Sequence, residues 1–147
     1  MSNLRPLFVC LAMTLVAACA KEPAYEAVYK YPISEWSERA SKLPDKDFLE
    51  AYEYGVVSNN PPVVLSDAAA KRGSGFIIKM HDEVLKSNNS YLIYSLVEVA
   101  EELESESPGA FCSDGVLRTL LSTSDAKIDN RVLLKSYRDR LHRICRE

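Results

Sequence analysis

Four clusters of helix-breaking residues cut this chain into short pieces, and their spacing constrains the fold more than any other feature. They are Pro44-Asp45, Asn59-Asn60-Pro61-Pro62, Asn88-Asn89-Ser90 and Ser107-Pro108-Gly109. Proline lacks an amide donor and fixes φ, while Asn, Asp, Ser and Gly favour turns and caps, so each cluster ends a helix or starts one. Between them apolar residues recur every three or four positions, the period of a one-sided helix. Ser34 caps a first helix that ends before Pro44. Asp45 caps a second, with Phe48, Leu49, Tyr52 and Val56 on one side. A third runs from near Ser66 to about Lys86 through Ala69, Gly73, Phe76, Ile77, Met80 and Val84. Gly73 and Gly75 inside it each cost about 1 kcal/mol against alanine, which predicts a second helix packed closely there. A fourth carries Tyr91, Leu92, Tyr94, Leu96, Val99 and Leu103. A shorter one starts at Ser113 or Asp114 and shows Leu117, Leu120 and Leu121. The last, capped near Ser124 or Asp125, presents Ile128, Val132, Leu134, Tyr137, Leu141 and Ile144. Only Val56-Val57 and 62–65 read as strand, and no repeat appears. The expected fold is all-α, a compact bundle of five or six short helices.

The first twenty residues follow a different pattern. A cationic start containing Arg5 leads into the apolar run 7–16, and two small residues then stand before a cysteine, Val16-Ala17-Ala18-Cys19. Such a run is too short to cross a bilayer as a mature helix and has the form of a secretory signal. The tetrapeptide resembles the lipobox of bacterial lipoproteins. That resemblance implies cleavage before Cys19, attachment of a diacylglycerol to its thiol and usually of a palmitate-class N-acyl chain to its amine, and a protein hung from the membrane. A single acyl chain would hold only marginally, so the several chains the resemblance implies are what make the anchor stable. Ala20, where enterobacterial lipoproteins retained in the inner membrane carry Asp, implies the outer membrane, with the chain facing the periplasm. An ordinary cleaved signal or an uncleaved anchor are the alternatives.

The chain then divides into a signal peptide (1–18), a lipidated N-terminus and tether (19–31) and a single helical domain (32–147). Removing residues 1–18 from 147 leaves 129 residues, enough for one domain with a real core. The tether carries Tyr25, Tyr29 and Tyr31, which either dock on the domain or meet a partner. Of four cysteines, Cys10 leaves with the signal and Cys19 is the lipidation site, so Cys112 and Cys145 remain. In an oxidising compartment they are expected to form one disulfide, stabilising the fold by about 2–4 kcal/mol. Metal ligation by two thiols with His81 and His142 is the competing reading.

The mature chain loses only Arg5 from 18 basic residues, so 17 stand against 21 acidic, a net −4 that gives no reason to expect nucleic acid as a partner. The charges are nonetheless segregated. Glu98, Glu101, Glu102, Glu104 and Glu106 crowd the C-terminus of the fourth helix, where the macrodipole disfavours them. Arg131, Lys135, Arg138, His142 and Arg146 share one face of the last helix. A Cys112–Cys145 bridge would bring the two clusters together with those helices parallel. Straight helical arms would then miss by on the order of 10 Å, so the Phe111–Asp114 piece must be extended or the loop longer. The basic face either pairs internally with the acidic end or stays exposed for an anionic partner or for lipid headgroups.

Few residues suggest catalysis. Gly73-Ser74-Gly75 lacks the strand of a nucleophile elbow. His81 adjoins Asp82 and Glu83, but helix neighbours do not face one another, so a solvated or half-buried histidine is expected. Asp45, Asp47 and Glu50 read as a charged first turn, and no metal, phosphate-loop or cofactor motif is present. The expectation is a non-catalytic, membrane-anchored domain with no cofactor and no metal, whose partner is a protein. Tyr52, Tyr54, Asn59, Asn60, Arg131, Lys135, Arg138 and His142 are its candidate contact residues, because loops and tyrosines favour recognition and the basic face offers charge. The format resembles immunity lipoproteins that neutralise antibacterial toxins. A structural or assembly lipoprotein of the envelope or a secretion machine is the alternative, and a cell-wall enzyme the third.

Overall fold

Every regular element among the described residues, 22–59 and 64–146 of this computed structural model, is helical. Eight α-helices follow in order: α1 (Glu26–Tyr29), α2 (Trp36–Ser41), α3 (Asp45–Glu53), α4 (Ser66–Ala70), α5 (Ser74–Lys86), α6 (Ser90–Glu106), α7 (Gly115–Ser124) and α8 (Arg131–Ile144). The all-α bundle is as expected. The larger count comes from one break inside a helix and from one short helix, α1, ahead of the expected first.

Helix α6 is the axis. Asn89 caps it by accepting from the amides of Tyr91 and Leu92. Leu92, Ile93, Leu96, Val97, Val99, Ala100 and Leu103 are buried in its body, which covers most directions around the helix rather than one stripe. Helices α4, α5, α7 and α8 pack around it. Full burial of a side chain such as Leu96 contributes about 1.5–3 kcal/mol, so this helix supplies much of the core.

The helix expected over 66–86 is two helices. Gly73 has φ of 78°, a conformation in which other residues are strained, and it turns the chain between α4 and α5. A Cβ built on Gly73 or Gly75 meets nothing within 4 Å, so close helix packing is not the reason for these glycines. The turn lays Ala68, Ala69 and Ala70, all buried, against α6. Arg72 reaches from it to the carbonyls of Ala40, Ser41 and Leu43, at and just beyond the end of α2. Its guanidinium lies 4.3 Å from the ring centre of Phe48 and 4.9 Å from that of Phe76. Asp45, expected to cap α3, instead accepts from Arg72 at 2.9 Å, while Pro44 occupies the cap position.

The packed unit begins well before Pro32. Val28 is fully buried, the Ala24 amide donates to Glu50, the Tyr29 hydroxyl donates to the Ala51 carbonyl, and Tyr25 stacks on Tyr54 at 4.1 Å. The boundary expected at residue 32 therefore moves to Ala24, because three aromatic side chains have more apolar area than a solvated tether can leave exposed. Cys19, the expected lipidation residue, and the expected signal peptide lie outside the described residues.

Cys112 and Cys145 are joined in a disulfide, with Cα atoms 5.4 Å apart. The bond occupies both thiols and so removes the metal reading. Tyr94 meets Ser136 and Glu98 meets Arg140, the same offset of 42 residues each time, so α6 and α8 are parallel. The reach problem is solved at both ends. Residues 107–114 form non-helical turns, and a single 3-10 turn (Asp125–Lys127) and an extended stretch separate α7 from α8. Asp114 caps α7, but the cap of α8 is Asn130 rather than Ser124 or Asp125.

Candidate functional site

Helix α8 presents two faces of opposite character. Leu133, Leu134, Leu141 and Ile144 are half-buried and Tyr137 is fully buried, with its hydroxyl donating to the Leu121 carbonyl at 2.7 Å. Burial pushes the Tyr137 phenol well above its ordinary value, so it stays a neutral donor. At 100° per residue, Arg131, Lys135, Arg138, His142 and Arg146 fall on the far side, and all five are exposed. Val132, expected on the apolar stripe, is on this outer side too and is 79% exposed.

Four of the five acids at the end of α6 are engaged, though not by that basic stripe; Glu102 has no partner among the described residues. Arg140, on the inner side, donates from Nη1 to Glu98 at 2.8 Å and to the Tyr94 hydroxyl at 3.0 Å, and from Nε to Glu101 at 2.9 Å. Its bonds to Glu101, then those to Glu98 and Tyr94, hold the guanidinium charged against the cost of burial. Glu104 pairs with no residue of α8 and accepts from the amides of Gly109, Phe111 and Cys112. The Gly109 and Cys112 amides, with Phe111 weaker, hold its carboxyl below the usual carboxylate range. Glu104 thus builds the turn that presents Cys112 for the disulfide. Glu106 lies 3.8 Å from Lys71.

With the acids so engaged, Arg138 pairs with Asp125 at 2.7 Å, while Arg131, Lys135, His142, Arg143 and Arg146 have no carboxylate partner among the described residues. A shallow depression of about 670 Å³ runs along this face, with Val132 at one end and Arg146 at the other.

The other candidate contact residues divide. Tyr52 is 1% exposed, and its hydroxyl donates to Ser95 Oγ at 2.7 Å. It is a core residue and cannot meet a partner, since its position on the inner side of α3 faces α6. Tyr54 is half-buried beneath Tyr25, and Asn59 is half-buried at the end of a wide helical turn (Tyr54–Ser58). Asn60 lies outside the described residues. The structure therefore groups Arg131, Lys135, Arg138 and His142 on one face and places Tyr54 and Asn59 on a separate element.

His81 departs from expectation. It is 3% exposed, with Nε2 2.8 Å from Ser124 Oγ and Nδ1 3.2 Å from Asp82 Oδ1. Acid, histidine and serine in that order have the form of a hydrolytic triad. Ser124, however, is 1% exposed, and its hydroxyl donates to the Leu120 carbonyl at 2.8 Å. Its proton is already committed and its oxygen is closed to substrate, so the group works as a polar tie between α5 and α7. No local signal could reveal it, since Ser124 lies 43 residues from His81. The carboxylates near the start of α3 are likewise engaged within the fold: Asp45 binds Arg72, and Glu50 receives the Ala24 amide.

A groove of about 610 Å³ between α3 and α5 has Leu49, Phe76 and Leu92 along its floor and Lys46, Glu53 and Glu83 on its rim, a mixture of signs with no single charge preference. Compared with protein-family models, with curated proteins and with solved structures, the chain finds no match in any of the three.

Proposed function

We propose that this chain is a lipid-anchored, periplasm-facing domain that binds another protein without catalysing a reaction, in the manner of an immunity or inhibitor lipoprotein. The observation that carries the reading is the outer face of α8, where five basic side chains stand without carboxylate partners while Glu98, Glu101, Glu104 and Glu106 of the acidic cluster are engaged within the bundle. Surface charge that the fold does not use is available for recognition. The lipobox-like Val16-Ala17-Ala18-Cys19 supports the anchor and the oxidising side of the membrane, and the disulfide fits that compartment.

Deleting the gene and exposing the cells to products encoded beside it tests the function. The expected result is sensitivity to one neighbouring toxin, reversed by supplying the chain in trans. Envelope defects without any toxin would instead favour an assembly role. For the anchor, Cys19→Ser is expected to yield an unprocessed or soluble product, and normal membrane attachment of that variant would contradict it.

A further inference from the structure

We propose that the outer face of α8 docks an acidic protein surface, whose carboxylates are received by Arg131, Lys135, His142, Arg143 and Arg146. The inference rests on the protein-binding reading above and names its surface and the chemistry of its partner.

Helix stability explains only some of these charges. Cations suit a helix C-terminus, which accounts for His142, Arg143 and Arg146, but Arg131 is the first residue of α8 and Lys135 lies one turn later. There the macrodipole favours acids, and the first turn holds none. Fold packing does not explain them either, since all five are exposed. The face is thus positive along its whole length on a chain of negative net charge, and charge complementarity selects an acidic occupant.

Its chemistry favours a protein over an anionic bilayer. Three of the five are arginines, whose planar forks bind carboxylate and phosphate alike, so the choice between the two rests on the neighbours of the row. Asp139 stands among them, exposed, and would repel lipid phosphate while accepting one cation from a structured partner. Val132 offers a single apolar contact at the end of the row, too little to insert into lipid.

The test uses the full chain in cells, with a photo-crosslinking amino acid in place of Lys135 or, as the control on the α3–α5 side, of Lys79. Lys135 is expected to yield one discrete protein adduct and Lys79 none. In the Lys135 background, Arg131→Glu with Arg143→Glu should cut the adduct roughly tenfold or more. Arg131→Gln with Arg143→Gln should cut it severalfold while circular dichroism stays unchanged. The purified chain should also bind a poly-L-glutamate peptide of about twenty residues with an affinity that falls as salt rises. An adduct from Lys79 alone would overturn this face and leave protein binding standing. A lipid adduct from Lys135 would overturn the choice of partner, and no adduct from either position would overturn both readings. Retention of the adduct by the Glu variant would show that charge does not recruit the partner.

Discussion

Helices α6 and α8 run parallel and share the Arg140 knot, yet they spend their surfaces differently. Helix α6 buries residues on nearly all sides, and its polar groups find partners inside the bundle: Ser95 with Tyr52, Glu98 and Glu101 with Arg140, Glu104 with three turn amides. Helix α8 buries one side chain fully, Tyr137, and leaves a row of cations toward solvent. A helix of the first kind is specified by the fold on every face. One of the second kind is specified by the fold on its inner face alone, and its outer face is free to be shaped by something else.

Mutations on the two helices should therefore differ sharply in cost. Leu96→Ala, at a position with no exposed area, is expected to destabilise by about 2–5 kcal/mol in urea unfolding. A loss below about 1 kcal/mol would mean that α6 is not the axis it is taken to be. Next in size is the bridge between the helices' ends. Cys112→Ser opens a loop with a sequence separation of 33 and should cost about 2–4 kcal/mol, and equal melting of oxidised and reduced protein would show that the bond does no such work.

Glu104→Gln should cost less, about 1 kcal/mol, because an amide oxygen can still accept some of the turn's amide bonds. The wild-type carboxyl is held below its ordinary range by those amides, so its contribution is complete above the unfolded value near ~4.3 and fades as pH falls through the lower folded value. Acid unfolding of the Gln variant should accordingly show a weaker pH dependence below about pH 4. Identical acid profiles would place the stabilising charge elsewhere.

Much of the framework was legible in the residues. The all-α class, the Cys112–Cys145 pairing and the breaks before α6 and α7 follow from spacing and chemistry that act locally or across one bond. The parallel arrangement of α6 and α8 followed from charge and cysteine positions taken together. What periodicity conceals is which side of a stripe the fold selects. Val132 and Tyr137 both fit an apolar pattern, and only Tyr137 is buried. Arg138 and Arg140 look alike in sequence, yet a two-residue step is about 200° around a helix, so one faces Asp125 and the other Glu98 and Glu101. The break at Gly73 was hidden because apolar residues continue on both sides of it, and His81 could not be matched to Ser124 by any local rule. Tyr52 drew attention as a tyrosine near a loop, but α6 packs over it.

The contrast between the helices is tested most directly by the stability of the Arg131→Glu, Lys135→Glu double variant, measured by urea unfolding of the oxidised chain. Both substitutions place acids near the positive end of α8, so stability should stay within about 0.5 kcal/mol of wild type or rise slightly. A loss above about 1 kcal/mol would show that the outer cations serve the fold and would contradict the claim that they are there for a partner.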